Sequence, residues 1–399
     1  MIKKTNLLIF ILTIGVFGIL NTEMGMIGVL PFMAERFHVS ISQAGLLVSL
    51  FALVVAISGP TMPLLFSGID RKKVMLLVLG VFIAGNIVSI FATNFTIALI
   101  ARVVPAFFHP IYCSLAFTVA AASTSQEKAP KAVAKVFVGV SAGMVIGVPV
   151  SNFIAGAASL EMAMVFFAVV NAIAFVATIF FVPSMPVKAR ISYGAQLSVL
   201  KKTTTWTSII AVILMNGAVF GVFSYLAEYL ERVTKFSLHT ISLVLLVYGL
   251  ANILGTIIAG RLLTKNALKA VVAFPFLIGT VYVILFVTGQ FTVPMALITL
   301  VWGILGGIGG NINQYWISTA APEAPDFANG LFLTAANLGT TLGATVCGYF
   351  ISGLGIKYVV LGGLLFSLLS IVFIFIRIYM CSPGKPSSVM SDLVETGTN

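Results

Sequence analysis

Glu23, Arg102 and His109 are ionisable side chains set inside long apolar runs. Lipid penalises such groups heavily, so they turn toward partners or water-filled cavities. A carboxyl in that setting can load or release a proton as its surroundings change. Desolvation raises its pKa, and a nearby Arg lowers it. Histidine titrates near neutral pH without help. Arg102 and His109 lie seven residues apart and share a helical face with Ala106. Each residue also has a structural reading. The arginine could bond backbone carbonyls, and the histidine could be a hydrogen-bonded packing residue.

These side chains need elements to hold them. Twelve stretches are apolar and long enough to cross a bilayer, which takes roughly 20 residues. They run over about 6–30, 42–67, 74–92, 96–122, 133–157, 161–182, 206–230, 240–263, 268–289, 293–318, 328–353 and 358–380. Barrel strands need only about 9–11 residues and alternate between lipid and lumen. These runs are longer and apolar on every face, so helices are expected, which satisfy their own backbone in lipid. Hydrophobic residues make up 60% of the 399 and charged ones 8%. A soluble domain of this size could not cover its surface with so few charges. The expectation is an all-α membrane protein of twelve transmembrane helices in two six-helix bundles. The first bundle covers 1–183, a cytoplasmic linker 184–205, the second bundle 206–381, and a disordered tail 382–399.

The net charge of +11 could suggest nucleic acid, but its distribution points to topology. With the N-terminus in the cytoplasm, most Lys and Arg fall on inner segments, including Lys3, Lys4, Arg71, Lys72, Lys73, Lys188, Arg190, Lys201 and Lys202. Only Arg36, Arg232, Lys235 and Lys357 fall outside. This bias predicts both termini inside and no nucleic-acid partner. Cys113, Cys347 and Cys381 are far apart and form no disulfide framework or metal site. The first run is too long for a signal-peptide core and reads as a retained span. No His-Glu-x-x-His, Gly-x-Ser-x-Gly or nucleotide-binding loop appears. An enzyme is therefore not expected, nor any cofactor, and the energy must come from an ion gradient or from the substrate's own. No filter ring suggests a channel.

The halves echo one another. Phe51-Ala52-Leu53 parallels Tyr248-Gly249-Leu250, and Gly143 and Gly147 parallel Gly339 and Gly343. Parallel repeats are one transporter architecture, with the substrate site between the halves. Gly139, Gly143 and Gly147 recur every fourth residue, so they lie on one face and admit another backbone. Pro149 removes a donor and weakens the helix just beyond them. Such a helix suits a hinge or gate, or simply tight packing.

Gly143-x-x-x-Gly147-Val-Pro149 resembles the antiporter motif of the major facilitator superfamily, found in its proton-driven efflux branches. Three more stretches resemble its bacterial drug, sugar and nucleoside efflux members. One is Asn21-Thr22-Glu23 to Gly28-Val-Leu-Pro31 with Ala44-Gly45-Leu-Leu-Val-Ser49. The second is Arg102-Val-Val-Pro-Ala-Phe-Phe-His109. The third is Ala321-Pro322-Glu323-Ala324-Pro325 with Ala336-Asn337-Leu338-Gly339. The resemblance runs over nearly the whole chain. The loop after the second span departs from the pattern. Gly68-Ile-Asp70-Arg71-Lys72-Lys73 is compressed and lacks a second glycine, though its basic cluster survives.

The resemblance implies a monomeric exporter of a small organic molecule, driven by protons, in a bacterial cytoplasmic membrane. A symporter or facilitator of the same fold is the alternative. In the family fold spans one and four line the central cavity, which brings Glu23, Arg102 and His109 within reach as a proton-coupling site. Asp70, Arg71, Lys72 and Lys73 would hold the cytoplasmic gate, and Gly139, Gly143, Gly147 and Pro149 would limit leak. Asn21, Tyr112, Asn216, Tyr225, Asn311, Gln314 and Asn337 are candidates for the substrate cavity. Their amides could bond a ligand or join helices, and their rings could wall a cavity or simply pack.

Overall fold

A computed structural model describes residues 2–187 and 192–381. The linker residues Lys188 and Arg190, and the tail 382–399, lie outside the described residues. Within them the chain forms α1 (Ile2–Arg36), α2 (Ile41–Ala44), α3 (Leu46–Ser58), α4 (Met62–Phe66), α5 (Arg71–Ile90), α6 (Phe95–Ala122), α7 (Ala129–Ala157) and α8 (Leu160–Phe181). The second half forms α9 (Tyr193–Leu197), α10 (Thr203–Phe223), α11 (Leu226–Arg232), α12 (Leu238–Thr288), α13 (Thr292–Ser318), α14 (Pro325–Leu354) and α15 (Val359–Cys381).

Ten of the described helical segments are long and apolar enough to cross a membrane. One of them, α12, is two crossings, because Asn266 leaves helical geometry at its middle. The remaining crossing is assembled from α2, α3 and α4. The expected twelve crossings are therefore all present, but the second is not the single helix expected over 42–67. Pro60 cannot donate to the carbonyl four residues back, and Pro63 begins the next turn. The freed Ala56 carbonyl accepts instead from Thr334 Oγ1 of α14 at 2.9 Å.

Helix ends follow ordinary capping chemistry. Asp70, Asn94, Ser159 and Ser237 accept from the backbone amides of Lys73, Ile97, Met162 and Thr240. The repeat reaches these details. His38 and Lys235 take positive φ at matching points of their loops. Two residues later Ser40 and Ser237 bond the amides of Gln43 and Thr240.

Each half has a parallel pair of helices at its centre. Gly143 of α7 lies so close to α1 that a Cβ there would sit 2.6 Å from the Leu20 Cβ. Gly147 lies similarly against Gly25 and Asn21. In the second half Gly339 and Gly343 of α14 press on the backbone of Ile213 and Gly217 of α10. The small-residue face thus does the job expected of it, but inside each bundle rather than between bundles.

The halves meet along other faces of the same helices. We call the end of the bundle carrying Arg71 and Asp326 the basic end, and its opposite the far end. At the basic end Arg71 pairs with Asp326 at 3.5 Å, and Asn329 Nδ2 donates to Thr118 at 3.2 Å. Gly59 and Gly330 touch backbone to backbone, and Phe332 packs on Phe117 and Phe137. Nearer mid-depth, Ser141 Oγ donates to Asn252 Oδ1 at 2.7 Å and lies 3.0 Å from Thr256 Oγ1. Val145 packs on Gly249. These contacts form a seam from mid-depth to the basic end.

Candidate functional site

The acid, the arginine and the histidine come together in the first half. Two prolines shape α6 around them: Pro105 and Pro110 each remove an amide donor beside His109. Arg102 projects into the bundle and donates to the Thr22 carbonyl at 2.9 Å and the Glu23 carbonyl at 3.0 Å. Its guanidinium lies 4.6 Å above the Phe51 ring, a favourable placement for a cation on an aromatic face. His109 Nε2 lies 3.1 Å from Glu23 Oε2. The carboxylate thus faces the histidine, while the arginine takes backbone oxygens. The approach is close but not aligned as a hydrogen bond for Glu23 Oε2, and the other ring nitrogen, Nδ1, is buried without a hydrogen-bond partner. Cys113 Sγ lies 3.8 Å from the same ring nitrogen, and Phe51 meets the imidazole edge-on. All three ionisable side chains are buried. An acid and a histidine at this distance can share or pass a proton if one of them is displaced.

The surroundings fix α1 at this level. Asn171 of α8 donates to the Gly18 carbonyl and to Thr22 Oγ1, and Asn86 of α5 reaches Thr22 Oγ1 at 3.4 Å. Asn86 and Asn171 were not singled out from sequence. The available signal was an amide in the middle of an apolar span. Phe51 stood out only as part of the repeat. By the register of α1 against α7, Glu23 is level with Val145, a seam contact near mid-depth.

The other candidates divide. Asn21 is fully buried against the Gly147 face, with both amide atoms unbonded. Tyr112 is buried against Gly15 within the first bundle. Asn216 donates to the Ala336 carbonyl and Thr340 Oγ1, and Asn313 reaches it at 3.5 Å. Tyr225 donates to the Ala344 carbonyl. Asn311 and Asn337 bond carbonyls of their own helices. Gln314 joins Ser318 and Asn329. Apart from Asn21 and Tyr112, these side chains serve as helix-to-helix or intrahelical links here. Glu228 pairs with Arg232 one turn on, at the far end.

Among the described residues, Arg71 alone of the basic cluster pairs across the seam. Asp70 caps α5 and accepts from Ser184 Oγ at 2.7 Å. Burial alone would raise its carboxyl, but the Ser184 and backbone bonds outweigh that and hold it below the usual value. Lys72 donates to the Ile179 carbonyl, and Lys73 supplies the amide that Asp70 caps. Arg71's partner Asp326 was missed, although it lies one residue beyond the Ala321–Pro325 stretch.

The profile of the Major Facilitator Superfamily matches residues 12–325 and 229–389. The chain belongs to the major facilitator superfamily. The uncharacterised MFS-type transporter YtbD of Bacillus subtilis is 30% identical over 370 residues, covering 91% of this chain and 93% of YtbD. The inner membrane transport protein YdhP of Escherichia coli K12 is 27% identical over 387 residues, covering 97% and 98%. Among solved structures, the human organic anion transporter MFSD10 aligns with TM-score 0.78 at 15% identity, over 94% of this chain and 99% of its own. The E. coli fucose:proton symporter FucP aligns with TM-score 0.75 at 14% identity, over 92% and 97%. At that identity the two structures speak for the fold alone. The superfamily transports small molecules, so the chain is a multi-pass membrane transporter rather than an enzyme, with the all-α fold expected from its sequence.

Proposed function

We propose that this superfamily member exports a small organic molecule in exchange for protons, by rocking two bundles about the seam between them. The observation that carries this reading is the buried Glu23–His109 contact, level with the mid-depth part of that seam. In the proposed cycle the histidine and carboxylate hold a proton between them. Substrate arriving in the cavity shifts the local charge balance and releases it. Arg102 stays on the α1 carbonyls and keeps the acid in position. The antiporter-motif glycines Gly139, Gly143 and Gly147 support the reading by sealing α7 against α1 within the first bundle.

In this reading residues 1–183 and 206–381 are the two rocking bundles and 184–205 the linker. The basic end is cytoplasmic, with both termini there, in the cytoplasmic membrane of a bacterium. Arg71–Asp326 then closes the cytoplasmic gate, and the structure corresponds to a state closed on that side. No cofactor is needed beyond the proton gradient. The protein acts as a monomer.

The test uses everted membrane vesicles carrying a pH-sensitive dye, with a panel of drugs, sugars and nucleosides. The reading predicts proton release on adding a transported compound, abolished by Glu23→Gln and reduced at least tenfold by His109→Gln. Full gradient-driven export by Glu23→Gln would remove the acid from the mechanism. Proton uptake in the same direction as substrate would show a symporter instead.

A further inference from the structure

Away from the bundle centre, the break in α12 leaves a groove of about 440 Å³, within the size range of small-molecule pockets, roughly 300–1,000 Å³. Its back wall is Leu305 and Ile308 of α13. One side is the second arm of α12, where Lys269, Ala273 and Leu277 recur every fourth residue and so share a face, with Phe274 beside them. The other side is the last turn of the first arm, with Leu262 and Lys265. Asn266 takes φ −158° and ψ 83°, and its Oδ1 accepts from the Lys269 amide at 3.0 Å. That break turns the chain back on itself and sets two ammonium groups at the mouth of an apolar slot. Among the described residues neither lysine has a carboxylate partner.

We propose that this groove binds one anionic phospholipid, with its phosphate between Lys265 and Lys269 and an acyl chain along Ala273, Leu277 and Ile308. Three observations favour a lipid over another occupant. The cations sit at the basic end of the spans, where a headgroup lies, and the apolar walls run from there into the membrane depth. The charge is complementary to a phosphodiester and repels a basic peptide. Cationic side chains at a membrane surface favour anionic lipid. Apolar contact along a chain adds to that for a lipid but not for a free anion.

The test is native mass spectrometry of the full chain, titrated with phosphatidylglycerol and with phosphatidylcholine of the same acyl chains. The first phosphatidylglycerol is expected to bind with at least about a tenfold preference over phosphatidylcholine. Lys265→Ala with Lys269→Ala should remove that preference. Ala273→Trp, which fills the slot and leaves both lysines, should remove it too. Leu277→Glu should do the same by placing a negative charge in the slot, should the tryptophan variant not fold. Glycerol 3-phosphate at equal concentration should not compete. The proposal is overturned if the two lipids bind alike, if the slot variants keep the preference, or if glycerol 3-phosphate displaces the lipid.

Discussion

The two halves share a backbone plan and differ in what they bury. Counting from their N-caps Asn94 and Phe291, Arg102 corresponds to Thr299 and His109 to Gly306. Counting back fifteen residues from the matching positive-φ residues His38 and Lys235 makes Phe220 the counterpart of Glu23. Phe51, against which Arg102 and His109 pack, corresponds to Tyr248. In the second half Tyr248 stacks on Phe223, meets Trp302 edge-on, and points its hydroxyl at Gly306. An aromatic ring and a glycine thus fill the space that a histidine fills in the first half. One bundle holds charge at its centre and the other holds rings. Two copies of a helical frame can therefore carry different chemistry without altering the contacts between helices.

Four experiments would break or sharpen that contrast. The largest effect is expected at Arg102. Arg102→Ala removes two charge-assisted bonds to the α1 backbone and should lower stability by about 3 kcal/mol. Thr299→Ala loses only a bond to its own helix at Met295, so a loss below about 1 kcal/mol is expected. Thermal unfolding in detergent would compare the two, and equal losses would undo the asymmetry.

The shared frame should fail in both halves alike. Gly143→Leu and Gly343→Leu both force side chains into touching backbone and should each cost about 1–3 kcal/mol by overpacking. Gly156→Ala, whose added Cβ would lie 3.7 Å from the Phe32 ring, should be neutral. A smaller effect is expected from Asn216→Ala, which breaks the second half's α10–α14 amide link. About 1 kcal/mol of loss in the same unfolding assay is expected.

The smallest concerns the basic-end pair. Burial alone would raise the Glu323 carboxyl, but its bond from Lys202 and its own backbone amide outweigh this and hold it below its ordinary value. A carboxyl depressed in the folded state contributes stability above its ordinary value of 4.5 and loses it as pH falls through the folded value. The pair is half exposed, so Lys202→Ala should cost about 0.5 kcal/mol at pH 7 and nothing once Glu323 is protonated. Unfolding midpoints across acidic pH would read this, and an effect that grows on acidification would contradict it.

Much of the frame was legible because lipid enforces it. Span number, helix rather than barrel, and the close-packing glycine face follow from length and residue size. The break within the second crossing was not read, although Gly59, Pro60 and Pro63 mark it. A continuous apolar run hides a missing donor. The meeting of Glu23, Arg102 and His109 was anticipated, but the choice of partners was not. Spacing along α6 cannot say that an arginine will prefer two carbonyls while the imidazole takes the carboxylate. The amides were the least legible. Asn216, Asn311 and Asn337 all sit in apolar helices, and only the neighbouring backbone decides whether such a group bridges helices or folds back on its own.

One helix has two unlike sides. Along Gly139, Gly143 and Gly147, α7 is fused to α1 by main-chain proximity, which no rotamer change can relax. Along Ser141 and Val145 it holds α12 through a hydroxyl, an amide and a methyl pair. Any parting of the halves would cleave along this second side and carry α7 away with α1. The residues to watch for motion are therefore the serine and valine between the glycines, rather than the glycines themselves.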